Sequence, residues 1–90
     1  HIAKVVCAFY SYSLSELRSS KRSKDLAMAR HVAMYLMKNM TARSLQEIGL
    51  FWGRKDHSTV VHALSKVGRL KEDDVHFNEQ LRSLERTISQ

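Results

Sequence analysis

Three side-chain types that hydrolases combine stand in a row at Asp56, His57 and Ser58, within the stretch GRKDHSTVVHAL from Gly53 to Leu64. A carboxylate, an imidazole and a hydroxyl can act as orienter, base and nucleophile. That chemistry needs Ser-to-His and His-to-Asp hydrogen bonds converging from separate elements, whereas consecutive residues at a helix start point about 100° apart. Adjacency therefore argues against a catalytic site. Metal ligation fits little better, because His57 and His62 are five positions apart and do not share a helix face, and Cys7 is remote in sequence. Neither a Walker motif nor a Gly-rich dinucleotide loop is present. The bland reading is that Asp56 and Ser58 cap a helix while His57 sits in solvent. A helix start is also where free backbone N–H groups and the positive dipole end favour a phosphate.

The elements that would position these residues are all helical by pattern. Ile2, Val5, Val6 and Phe9 predict an amphipathic helix over residues 1 to about 11. Ser13 followed by Glu16 is a capping-box pattern for a short helix with Leu14 and Leu17 on its apolar side. The run RSSKRSK, residues 18–24, contains no apolar side chain and reads as a basic loop. From Ser23 or Asp25 to Met40, the positions Leu26, Ala29, Val32 or Ala33, Leu36 and Met37 form the longest apolar stripe and predict a core helix. Ser44 with Glu47 caps another helix, with Leu45, Ile48, Leu50 and Phe51 as its buried side; Gly49, Trp52 and Gly53 keep it short. Asp56 is the expected N-cap of the next helix, whose apolar positions are Val60, Val61, Leu64, Val67 and Leu70, with an end or bend expected at Gly68. A last helix starts at Asp73 or Asp74 and carries Val75, Phe77, Leu81, Leu84 and Ile88. No segment alternates with period two, and there is no internal repeat.

Composition agrees with one all-α domain over residues 1–90. The chain has no proline and three glycines, with 43% hydrophobic and 27% charged residues. Its formal charge of +6 is regional: residues 71–90 hold three basic and five acidic side chains, net −2, which leaves +8 for residues 1–70. The basic groups cluster at Arg18, Lys21, Arg22, Lys24 and Arg30 and return at Arg43, Arg54 and Lys55, which points to an anionic partner. Cys7 is the single cysteine and is expected to be a small buried apolar residue; one cysteine allows no intrachain disulfide. No window resembles a membrane span or a signal peptide, so a cytoplasmic location is the expectation. The first residue is not methionine, and the chain is expected to be a fragment of a longer protein.

Two short helices, about residues 44–67 in all, separated by a tight glycine-containing turn and flanked by positive charge, have the shape of a helix-turn-helix. In such a motif the second helix places its first residues on base edges in the major groove, while the first helix and nearby basic groups hold phosphates. The stretch IGLFWGRKDHSTVVHALSKV, Ile48 to Val67, closely resembles the C-terminal DNA-binding domain of the DnaA family of bacterial chromosomal replication initiators. The match lies in Ile48-Gly49, Gly53, Lys55, Asp56-His57-Ser58-Thr59-Val60, His62-Ala63 and Lys66-Val67. Upstream, ARHVAMYLMK from Ala29 to Lys38 and KRSK from Lys21 to Lys24 resemble the family's preceding helix and basic loop, so that essentially the whole chain is covered.

The resemblance implies a compact bundle of about six helices, related in shape to the Trp repressor, that binds duplex DNA at DnaA boxes near a replication origin. It assigns base contacts in the major groove to Asp56, His57 and Ser58, and a minor-groove contact to Arg22. Expected phosphate contacts are Lys21, Lys24, Arg30, Ser44, Gln46, Arg54, Lys55, Thr59 and Lys66. No cofactor is expected in this domain, since the family binds ATP elsewhere in the full-length protein; acidic phospholipid is a further partner of the family, and the isolated domain is expected to be monomeric. Arg54 departs from the family's second glycine, which puts the geometry of the turn in question. Ala29 and Gln46 replace prolines of some members, and Trp52 replaces a smaller aromatic and is expected in the core. An RNA-binding or protein-docking helical module is the rival reading, because basic charge alone does not select duplex DNA. Single-strand binders present exposed aromatics for stacking, and here only Tyr10 and Tyr12 lie outside the apolar patterns.

Overall fold

Capping side chains decide where the helices of this chain begin. The computed structural model describes residues 1–21, 23–53 and 57–90, and these form α1 (Ile2–Tyr10), α2 (Leu14–Leu17), α3 (Lys24–Met40), α4 (Leu45–Phe51), α5 (Ser58–Asp73) and α6 (Val75–Ser89). Ser13 Oγ accepts from Glu16 N at 3.1 Å while Glu16 Oε1 accepts from Ser13 N at 3.0 Å. The same reciprocal box opens α4, with Ser44 Oγ accepting from Glu47 N at 3.1 Å and Glu47 Oε1 accepting from Ser44 N at 2.9 Å. Ser23 caps α3 through Leu26 N, and Asp74 caps α6 through Phe77 N. The expected cap Asp56 lies outside the described residues. The residue before α5 is His57, in right-handed helical conformation and without a side-chain cap bond.

The domain is built around α3, which packs on α1, α2, α4 and α5; α6 closes the bundle against α1 and α5. Leu26, Ala29, Val32, Ala33, Met34, Leu36 and Met37 of α3 are all buried, so both alternatives at 32 and 33 are inside and Met34 joins them. Val6 from α1, Leu17 from α2, Ile48 from α4, Trp52 after it, Val60, Ala63 and Val67 from α5, and Leu81 and Leu84 from α6 complete the core. At the far end, His1 Nε2 lies 3.1 Å from the Ile88 carbonyl and ties α6 to the start of α1. Among the described residues there is no strand, and no helix is long and apolar enough to cross a membrane.

Five apolar residues that the spacing placed on buried faces are exposed: Phe9, Leu14, Leu50, Val61 and Val75. Each sits at the flank or tip of its helix's apolar stripe. Helical period fixes the angular position of a residue, but the width of the covered sector depends on which helices pack against it. On α5 the line of contact runs through Val60, Ala63 and Val67, which turns Val61 outward at 46% exposure. On α4 the buried side is Ile48 and Gly49, and the 61% exposed Leu50 faces away. Cys7 and the two tyrosines Tyr10 and Tyr12 are half-buried against the core rather than fully inside or fully out.

Gly68 neither ends nor bends α5, which continues to Asp73. Packing on either side of a half-buried glycine outweighs its propensity cost of about 1 kcal/mol, and a Cβ built at Gly68 would meet nothing within 4 Å. Gly53 is different. Its φ of +72° lies in the left-handed region that side chains disfavour, so glycine is what lets the chain leave α4 so abruptly.

Trp52 is fully buried where α4 meets the core, its ring edge-on to Phe51 at 4.9 Å, and its Nε1 has no hydrogen-bond partner. Trp52→Ala is expected to cost about 3–5 kcal/mol. Trp52→Phe should cost distinctly less, because it removes a buried, unpartnered N–H along with the lost volume. Urea unfolding followed by circular dichroism measures both; equal losses would contradict the account.

Candidate nucleic-acid interface

The basic loop owes its form to a buried cation. Arg30, on α3, is 6% exposed, and its Nε donates to the Leu17 carbonyl at 2.7 Å while Nη2 donates to the carbonyls of Ser19 at 3.0 Å and Lys21 at 3.2 Å. Three carbonyls, one from the end of α2 and two from the loop after it, thus converge on one guanidinium, whose planar fork suits several acceptors at once. Ser19 Oγ adds a bond to Glu16 O at 2.6 Å and accepts from Lys21 N at 3.3 Å. Arg18 stacks over the Phe51 ring at 5.2 Å, which links the loop to α4. The exposed cation expected at Arg30 is therefore corrected: the side chain is inside, and what it holds is backbone. A signal was present in the sequence, since position 30 falls in register with Leu26, Ala33 and Met37 on the apolar stripe. A charge in such a stripe is a candidate for burial with partners.

Lys21 and Lys24 are exposed on either side of this loop, and Arg22 between them lies outside the described residues. At the other edge, Ser44 and Gln46 are exposed at the first turn of α4. The turn follows, and Arg54, Lys55 and Asp56 also lie outside the described residues. His57 and Ser58 are exposed at the start of α5, Thr59 is half-buried, and Lys66 is exposed two turns further on. Val60 and Val61 donate their N–H groups to the His57 carbonyl at 3.0 and 3.1 Å, which joins His57 to the helix. Fully buried Val60 and Ala63 then anchor the first turns of α5 to α3. The fold thus leaves the first residues of α5 facing solvent while fixing their helix from behind.

Sequence reading did not find two features of this surface. One is the Arg18–Phe51 stack. The other is the approach of His31 on α3 to His62 on α5, ring centroids 6.0 Å apart and edge to face. Both join residues far apart in sequence, for which local spacing holds no signal. Among the described residues no group of three His, Cys, Asp or Glu side chains could hold a metal ion.

Two carboxylates carry shifts with a clear cause. Glu16 and Glu47 are each held below the ordinary carboxylate range, first by the hydrogen bond from the N-cap serine backbone and then by the serine side chain. The Cys7 thiol is pushed up by burial and then by Glu16, which makes it a poor nucleophile.

Six packed helices among the described residues, with a short capped α4 that ends at a positive-φ glycine, a longer α5 after it and a pinned basic loop alongside, define a helix-turn-helix domain. Over residues 1–67 the chain matches the family described as "Bacterial dnaA protein helix-turn-helix", and it belongs to that family. It is 42% identical over 88 residues to the chromosomal replication initiator protein DnaA of Leptothrix cholodnii, covering 98% of this chain and 17% of that protein. The DnaA proteins of Rickettsia canadensis and Rickettsia rickettsii are each 43% identical over 83 residues, covering 92% of this chain and 18% of theirs. The chain spans less than a fifth of the length of these relatives.

Replacing Arg30 by lysine keeps the charge and removes the fork. The variant is expected to lose about 2 kcal/mol or more of stability, and amide exchange should accelerate at residues 18–21 before it does in α5. Loss of protection spread evenly over the domain would contradict a loop-specific role. The capping boxes give a pH prediction. Because the Glu47 carboxyl is depressed in the folded state, its contribution to stability is present above the unfolded value and is lost as pH falls through the folded one. Ser44→Ala should therefore raise the Glu47 midpoint in an NMR titration toward the ordinary carboxylate range; an unchanged midpoint would count against the box.

Proposed function

We propose that this domain is a sequence-specific reader of double-stranded DNA at DnaA boxes of a replication origin, supporting initiation of chromosome replication. The observation that carries this reading is the exposed His57–Ser58 start of α5, anchored from behind by Val60 and Ala63 and flanked by a basic loop whose backbone is pinned. An α-helix end of this kind fits the major groove, where each base pair presents a distinct set of donors, acceptors and the thymine methyl. His57 and Ser58 supply hydrogen-bonding groups and carbon surface there, and Asp56, by family resemblance, accepts from a cytosine or adenine amino group. Arg22, by the same resemblance, enters the adjacent minor groove, where A·T-rich sequence concentrates negative potential.

Backbone phosphates are met by Lys21 and Lys24 at the loop, by Ser44 and Gln46 at the first turn of α4, and by Thr59 and Lys66 on α5, with Arg54 and Lys55 joining them from the turn. Ser44 Oγ accepts from Glu47 N, which leaves its proton to donate to a phosphate. Arg30 serves this surface by shaping the loop. The domain acts as a monomer on an asymmetric site, carries out no chemical step, and works in the cytoplasm on the nucleoid; ATP chemistry belongs to other parts of the family's full-length chain.

A gel-shift series with a DnaA-box duplex, a scrambled duplex and an RNA hairpin tests the reading, with the box duplex expected to bind most tightly. His57→Ala should cost about 1–3 kcal/mol on the box and little on the scrambled duplex. Lys24→Ala should weaken both and lower the salt slope by about one. Equal losses on the two duplexes for His57→Ala would remove it as a base reader.

A further inference from the structure

The basic loop and the turn before α5 are held to α3 separately. The loop follows α2, which packs on α1 and α3, and the turn follows α4, which packs on α3 and α5. Among the described residues the two short helices have no extended packing on each other. What joins them is a pair of side chains: the Arg18 guanidinium lies over the Phe51 ring, 5.2 Å from its centroid. Both partners have a fixed base. Arg18 stands between Leu17 and Ser19, whose carbonyls are bonded to buried Arg30. Phe51 is the last residue of α4, half-buried and edge to face on fully buried Trp52 with centroids 4.9 Å apart. Gly53, at a φ of +72°, then turns the chain out of the helix. The Arg18 side chain itself is exposed, so the stack can open without disturbing the core. A guanidinium on a ring face in water shifts an equilibrium by about two- to fivefold, enough to bias a surface arrangement and too little to hold a fold.

We infer that Arg18 is a positioning residue for DNA recognition: stacked on Phe51, it locks the basic loop to the turn before α5, so that the two groove contacts are presented as one rigid pair. The inference rests on the DNA-binding reading above and adds to it a residue that reads no base and holds no phosphate, and that acts through Phe51. With the stack closed, a domain that has seated its loop has the start of α5 already aligned, and each contact strengthens the other. With the stack open, loop and turn are ordered separately, and the ordering entropy of the second contact is subtracted from its affinity. The effect belongs to a site that engages both contacts in register. On DNA lacking such a site, general attraction to backbone charge operates alone.

Arg18 carries a charge close to the loop, so a direct phosphate contact is the alternative to be separated. The ring separates them. Phe51→Leu removes the stack and keeps the cation, whereas Arg18→Met removes the cation and keeps an unbranched stem. A phosphate contact responds only to the second change and shows in the salt dependence. A stack responds to both, and removing its two halves together does no more than removing one.

The intact 90-residue domain is titrated with a box duplex and a scrambled duplex over a range of salt, as the parent, Arg18→Met, Phe51→Leu, the double variant and Phe51→Tyr, with circular dichroism checking each fold. Arg18→Met and Phe51→Leu are each expected to lower the preference for the box duplex about three- to fivefold, and the double variant no further than either. Phe51→Tyr, which keeps a ring, should retain the preference, and Phe51→Leu should leave the salt slope unchanged. In the parent, Lys21→Ala and His57→Ala should depart from additivity on the box duplex by about three- to fivefold; in the Arg18→Met background they should add to within about twofold. Because Arg18 is exposed, that last comparison stands whatever Phe51→Leu does to α4. Undiminished coupling in Arg18→Met would overturn the inference. So would an Arg18→Met loss that is equal on both duplexes and lowers the salt slope by about one while Phe51→Leu behaves as the parent. Equal affinity of the parent for the two duplexes would overturn the sequence-specific reading and the inference with it, and it shows before any substitution is made.

Discussion

A cation taken into a protein interior has to be given acceptors there, and in this domain that constraint falls on Arg30. Its guanidinium is the only charged group buried with the core among the described residues, and it is satisfied by carbonyls at the end of α2 and in the loop between α2 and α3. The consequence is structural before it is electrostatic. A run such as RSSKRSK has no apolar side chain to hold it against the protein, and like charges within it repel. Bonding its backbone to a buried arginine fixes the path of the chain while leaving Lys21 and Lys24 in solvent. The same loop reaches α4 through the stack of Arg18 on Phe51, and Phe51 in turn leans on buried Trp52. One line of contacts therefore runs from the basic loop, through two aromatic rings, to the turn that precedes α5.

Around that line the helices divide the work by burial. α3 is buried on nearly every side and acts as the axis, so its neighbours are positioned by where they touch it. α4 is too short to be stable alone and depends on its capping box and on Trp52. α5 is long, but only one edge of it is covered, and its first residue, Ser58, is exposed while Val60 and Ala63 fix the helix from behind. Rigid backbone with exposed tips is what a reading surface requires, because a probe held loosely would pay ordering entropy at each encounter.

Helix starts were legible in the sequence because their signals are local. Ser13 with Glu16, Ser44 with Glu47, Ser23 and Asp74 each bond to a backbone N–H within three residues, and a capping bond of this kind needs no distant partner. The short length of α4 was equally readable, while of its two nearby glycines it is Gly53 that takes the left-handed conformation and Gly49 that lies buried within the helix. Five flanking apolar residues were placed inside and are outside, and Gly68 was expected to interrupt α5 and does not. In these cases local preference gave the right helix and the wrong environment, since neighbours remote in sequence decide how wide a face is covered and whether packing carries a helix through a weak position.

The family came from a short, specific stretch, and the sequence by itself determined that two short helices with a glycine between them stand beside a basic loop. What only the tertiary structure decided was the use of the charges. Arg30 and Lys24 are six residues apart and were read alike as phosphate contacts, yet one is buried under three carbonyls and the other is in solvent. His31 and His62 had no relation in the sequence, and the packing of α3 on α5 brings their rings together. The physical reason is common to both: the free energy of a charged or titratable group depends on what surrounds it in space, and in a bundle those surroundings come from helices far apart along the chain.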